Sequence, residues 1–138
     1  MKIIAHIDGS SMGNPGEAGY GIVLHTPEGE LLETYGDYIG RATNNVAEYQ
    51  GLIACLRRAE KYDFSHMKIF SDSQLMVRQL EGLYKVKQPH LKELFSTVKD
   101  NIASLDGIVT IEHVKREFNK EADAVARRAV KLKGEIME

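Results

Sequence analysis

The 138 residues carry 18 Lys/Arg against 20 Asp/Glu, 43% apolar residues and a single cysteine. That length fits one domain, read as 1–138, and is enough to bury a core without disulfides or a structural metal. The net charge of −2 excludes a global positive field that would gather nucleic acid. The lone Cys55 excludes an internal disulfide and fits a cytoplasmic setting. No apolar run approaches the ~18 residues of a membrane span, so no membrane partner is expected.

Residues 2–8, KIIAHID, are rich in β-branched side chains and read as a buried strand rather than a signal-peptide core. GSSMGNPGEAG, 9–19, packs four glycines and a proline together and reads as a turn or loop. YGIVLHT and LLETYGDYIG read as two further strands joined by the turn PEGE. From Thr43 the apolar spacing becomes helical, at 46, 49, 52, 53, 56 and 59, with Thr43 or Asn45 as the cap. MKIFSD, 67–72, is a fourth strand, and a short helix follows to Gly82. Gln88–Ser104 is helical, with Pro89 in its first turn. IVTIEHV, 108–114, is a fifth strand, Asn119 caps a last helix to about Leu132, and GEIME is expected to fray. The order βββαβααβα implies an α/β fold: a five-stranded mixed sheet with helices on both faces.

Four acids stand where apolar segments meet polar ones: Asp8, Glu48, Asp72 and Asp123. Each has a bland explanation. Asp8 precedes a glycine, as turn residues do. Asp72 and Asp123 suit a helix N-terminus. Glu48 stands three residues after Asn45 and fits a capping box. Together they admit a second one. If the first and fourth strands adjoin, their carboxyl ends lie side by side near two helix starts, where open sheets place ligands. Gathered carboxylates repel, and hard divalent cations such as Mg²⁺ or Mn²⁺ relieve that repulsion. Two such ions ~3.5–4 Å apart suit phosphoryl transfer.

Four blocks sharpen this reading: IDGSSMGNPGEAGYG at 7–21, TNNVAEYQGL at 43–52, SDSQLMVRQL at 71–80 and VKREFNKEADAVA at 114–126. In this order and spacing the chain closely resembles the type 1 ribonuclease H family over nearly its whole length. The resemblance implies that Asp8, Glu48, Asp72 and Asp123 are the catalytic, metal-binding set. It implies two Mg²⁺ (or Mn²⁺) ions with substrate bound, and endonucleolytic cleavage of the RNA strand of an RNA–DNA hybrid to 5′-phosphate and 3′-hydroxyl ends. By the same resemblance Gly9, Ser10, Asn14 and Gly16 approach the minor groove, where 2′-hydroxyls mark RNA. Asn44, Asn45 and Gln74 contact sugars and bases, and Arg41 and Thr43 hold a phosphate of the DNA strand. Glu48 also accepts a 2′-hydroxyl hydrogen bond. A monomer is expected, and cleavage of double-stranded RNA is left open.

The chain departs from the family pattern twice. The segment KREFNK before Asp123 has no histidine, although many members carry one there, and Arg116 is the candidate phosphate contact in its place. The long basic, Trp-rich handle is also missing. EGLYKVKQPH passes straight into the next helix and leaves Tyr84, Lys85 and Lys87 as a minimal grip. Two readings from other classes remain: a hybrid-binding module without catalysis, and an exonuclease or integrase-type enzyme on the same fold.

Overall fold

The computed structural model describes all 138 residues. In chain order it contains β1 (Lys2–Gly13), β2 (Gly16–His25), β3 (Leu31–Ala42), α1 (Asn44–Ala59), β4 (His66–Ser71), α2 (Gln74–Leu80), α3 (Pro89–Ser104), β5 (Ile108–His113), a 3₁₀ turn (Arg116–Phe118), α4 (Lys120–Leu132) and β6 (Ile136–Met137). The strands form one mixed sheet in the order β5-β4-β1-β2-β3-β6. β1, β2 and β3 are antiparallel neighbours, whereas β4 runs parallel to both β1 and β5. Parallel pairs need crossovers, and α1 supplies one while α2 and α3 supply the other.

Side-chain alternation divides the core. Ile3, Ala5 and Ile7 of β1 join Tyr20, Ile22 and Leu24 of β2 against Tyr49, Leu52 and Leu56 of α1, with Leu91, Leu94 and Val98 of α3 behind them. On the opposite face Val23 packs with Val125 and Ala129 of α4 and with Ile136. Helices therefore cover both faces, as the period-2 and period-3.6 patterns predict. No helix is long and apolar enough to cross a membrane.

The sheet has six strands, not five. The C-terminal residues do not fray: Ile136 is buried, and Thr34 and Glu138 exchange backbone hydrogen bonds of 2.8 and 2.9 Å. Residues 9–19 are not a loop either. β1 continues to Gly13, with Ser10 opposite Gly19 and Met12 opposite Glu17, so the turn is reduced to Asn14-Pro15, joined by a cis peptide bond. The glycines in this stretch relieve crowding on a continuous hairpin instead of breaking it. Thr43 caps α1, its Oγ1 accepting from Val46 N at 3.3 Å, so the Asn45–Glu48 capping box does not form. Asn119 stands at the start of α4, but its side chain caps nothing.

Candidate active site

The register of β1 and β4 ends at Ile7 beside Ser71. The next residue in each segment is an acid, so parallel pairing brings Asp8, within β1 where its pairing with β4 ends, beside Asp72, just past the end of β4. Glu48 arrives from α1 by a close backbone approach. A Cβ on Gly9 would lie 2.4 Å from Glu48 N and 2.6 Å from Ala47 C. Only a residue without a side chain lets the first turn of α1 sit this close to β1. Gly21, the register partner of Asp8 on β2, does the same for α4: a Cβ there would lie 2.3 Å from Ala122 O and 2.6 Å from Ala126 N. That contact seats the helix turn carrying Asp123.

Carboxylate oxygens of Asp8, Glu48 and Asp72 all lie within 4.8 Å of one another. Asp123 stands outside this tight trio, but it lines the same cavity and is close enough to Asp8 to push that group's pKa upward. Arg127, one turn along α4, holds it, with Nε 3.1 Å from Asp123 Oδ2. Burial, followed by the neighbouring charges of Glu48 and Asp72, holds Asp8 far above the usual carboxylate range. Glu48 is pushed up to about 8, mainly by burial and then by the Asp72 charge. Its Oε2 is buried without any hydrogen-bond partner. A buried, unpartnered carboxylate oxygen facing two more acids is unfavourable unless a cation or a proton joins it. The donor set is all oxygen, which matches a hard divalent ion.

The cavity around this trio has a volume of about 320 Å³ and is lined without any apolar residue. Gly9, Ser10, Asn44, Asn45 and Arg116 line it. Arg116 Nε lies 3.8 Å from Asp72 Oδ2, while 85% of its side chain remains exposed. Asn14 sits beside the cavity, its Oδ1 accepting from Asn44 N at 3.1 Å. Gly16 closes the hairpin opposite Ala42, and exposed Arg41 lies opposite Glu17 on β2. The Thr43 hydroxyl is occupied by its capping bond. Gln74 is exposed in the first turn of α2. Tyr84, Lys85 and Lys87 are exposed between α2 and α3 and do not line the cavity. Gln79 fixes their turn, its Nε2 donating to Lys85 O at 3.3 Å while its Oε1 accepts from buried Tyr49 at 2.6 Å.

Ser11, Ser73 and Arg127 also line the cavity and were not singled out from the sequence. The position of Arg127, four residues after an acid on a predicted helix, was the available signal. None of the five histidines lines it. His6 stacks on His25 with ring centroids 5.5 Å apart, on the side of the sheet facing Asn119.

Comparison with known proteins places the fold in a family. A family model described as reverse transcriptase-like matches residues 6–129. The chain is 40% identical over 129 residues to ribonuclease HI of Halobacterium salinarum, covering 94% of this chain and 64% of that protein. It is 43% identical over 131 residues to a bifunctional protein of Mycobacterium tuberculosis, covering 94% of this chain and 36% of the relative. The crystal structure of LC11-RNase H1 in complex with an RNA/DNA hybrid superposes with a TM-score of 0.89 at 37% identity, covering 94% of this chain and 97% of that one. The chain belongs to the type 1 ribonuclease H family. This membership accounts for the mixed sheet and for an acidic cluster suited to a divalent metal. The chain spans only 64% and 36% of the lengths of those two sequence relatives, so likeness to them says nothing of their remaining domains.

Proposed function

We propose that this chain is an endonuclease that hydrolyses the RNA strand of RNA–DNA hybrids, leaving 5′-phosphate and 3′-hydroxyl ends. The observation that carries the reading is the trio of buried Asp8 and Glu48 with partly buried Asp72 within 4.8 Å, with an orphaned Glu48 oxygen inside it. Family membership narrows the chemistry from phosphoryl transfer in general to cleavage of a hybrid. The solved relative bound to such a hybrid supports the choice of substrate.

Asp8, Glu48 and Asp72, with Asp123 beside them, would hold two Mg²⁺ or Mn²⁺ ions. When bound, divalent cations at such a site lower the pKa of water and stabilise charge on the reacting phosphate. The chain's own groups do the rest. The carboxylates would hold the ions, and cationic and polar donors at the cavity, Arg116 among them, would orient the phosphodiester for in-line attack by water. A P–O bond to water then forms, and the P–O3′ bond breaks. The attacking water gives up a proton, the 3′ oxygen takes one up from solvent and leaves as a hydroxyl, and the phosphate stays on the 5′ end of the other fragment. Arg116, mostly exposed beside Asp72, offers a charged donor to a neighbouring phosphate. Ser10, Asn44 and Asn45 present polar groups to the groove where 2′-hydroxyls distinguish RNA from DNA, and Asn14 fixes the start of α1 behind them. Gln74 extends this row on α2. Arg41 with the Thr43 backbone would hold a phosphate of the DNA strand, and Tyr84, Lys85 and Lys87 provide the remaining grip.

The test is incubation of the purified chain with a hybrid labelled on its RNA strand, in Mg²⁺ or Mn²⁺, beside Asp8→Asn and Asp72→Asn. Internal cleavage to 5′-phosphate ends, lost in both variants, supports the reading. Cleavage that persists in either variant, or attack on the DNA strand, overturns it. A double-stranded RNA of the same sequence, run in parallel, defines the range of substrate.

A further inference from the structure

Asn119 occupies the N-cap position of α4, yet its side chain makes no cap hydrogen bond. It is 1% exposed, although it opens a helix whose neighbouring residues Phe118 and Lys120 face solvent. Both ends of its amide point across to β1. Nδ2 donates to Ile7 O at 2.8 Å, and Oδ1 meets His6 Nδ1 at 3.2 Å. Its own carbonyl accepts from Asp123 N at 3.1 Å. Ile7 immediately precedes Asp8. A single residue therefore bonds the peptide beside one candidate metal ligand and closes the helical turn that carries another. A structural cap would have spent its side chain on the free amides of α4. This one instead bridges 112 residues of sequence.

We propose that Asn119 is a positioning residue that sets the spacing of the Asp8 and Asp123 carboxylates. The proposal rests on the hydrolytic reading above. Asp123 lies outside the tight trio and is held on its outer side only by mostly exposed Arg127. The inward component of its placement comes from the start of α4, where Gly21 permits contact with the sheet and Asn119 fixes the helix along it. His6, stacked on His25 and tilted against Phe70, orients the amide so that its NH₂ faces Ile7 O.

The experiment compares Asn119→Ala with the parent chain on a labelled hybrid well below both unfolding temperatures. Magnesium binding without substrate is followed by calorimetry. Misplacing one ligand by a fraction of the bond it loses lowers kcat roughly ten- to a hundredfold. The KM for hybrid stays within about twofold, because the groove residues are untouched, and the magnesium midpoint rises. A variant with a lower melting temperature but parental kcat and magnesium midpoint shows that Asn119 only stabilises the fold, and overturns the proposal. Should the alanine variant not fold, Asn119→Leu keeps the buried volume and removes both side-chain hydrogen bonds without adding charge, with the same expected and contrary results. Parental cleavage by the unsubstituted chain is read in the same assay, so failure here is separable from failure of the hydrolytic reading.

Discussion

Gly9 and Glu48 touch through backbone alone: no side chain larger than hydrogen fits between β1 and the first turn of α1. The carboxylate of Glu48 reaches Asp8 because Gly9 is there. Gly9→Ala would drive a methyl into peptide atoms that cannot swing aside, and overpacking of this kind costs about 1–3 kcal/mol. The expected result is a melting temperature several degrees lower and a larger loss of kcat. Gly134→Ala, where the nearest atom stands 3.7 Å away, should move stability by less than about 0.5 kcal/mol. Equal losses in both variants would show that the Gly9 contact is not special.

Stability without metal should fall as pH rises. Burial and mutual repulsion raise the folded-state pKa values of Asp8 and Glu48 above their unfolded values. The native state then disfavours their charged forms. Well below the unfolded pKa values, under about pH 3, both states are protonated and no penalty exists. The penalty grows as pH rises through the unfolded pKa, and for Glu48 it is complete above about 8. Thermal melts in chelator from pH 5 to 8.5 should show this decline, and millimolar Mg²⁺ should flatten it. At pH 8 in chelator, Asp8→Asn should melt roughly 4–8 °C above the parent while losing hydrolysis. A lower melting temperature for that variant would contradict the electrostatic account.

Glu33 is buried among cations on the far half of β3. It accepts from Arg58 at 3.1 Å and Lys61 at 2.6 Å, and the Arg58 guanidinium lies 3.8 Å over the Tyr35 ring. Glu33→Ala leaves a mostly buried arginine without its partner and should cost about 3 kcal/mol by chemical denaturation. Lys61→Ala removes a half-exposed partner and should cost under about 1 kcal/mol. The reverse order would mean that Lys61, not Arg58, dominates the cluster.

Without a basic handle, the hybrid is held by few phosphate contacts. With about two or three of them, affinity should fall roughly ten- to fiftyfold between 50 and 200 mM salt. Arg41→Ala and Lys85→Ala should each reduce the log–log slope by about one unit with little change in kcat. A slope unaffected by either substitution would place the phosphate grip elsewhere. No histidine lines the cavity, so the kcat profile should lack a limb near pH 6–7 attributable to imidazole.

Much of this site was readable before any coordinates. Asp8 closes the apolar part of β1 and Asp72 follows the last residue of β4, and parallel pairing of those strands makes them neighbours. Glu48 and Asp123 sit near helix starts, where the four motif blocks placed them. What could not be read depends on contacts distant in sequence. β6 is two residues long and exists because Ile136 fills a hollow between β3 and α4. The hairpin tip looked like a loop because glycine signals both turns and crowded strands. Asn119 carried the ordinary signature of a cap, and only the position of Ile7 shows that its amide is used elsewhere.

One physical relationship underlies the whole site: acids from four separate segments gather to hold a divalent cation. A calorimetric titration of the chelator-stripped chain with Mg²⁺ near pH 7.5, beside Asp8→Asn and Glu48→Gln, tests it most directly. The account predicts saturable binding to the parent chain that is lost or much weakened in both variants. Binding of equal strength in all three proteins would contradict it.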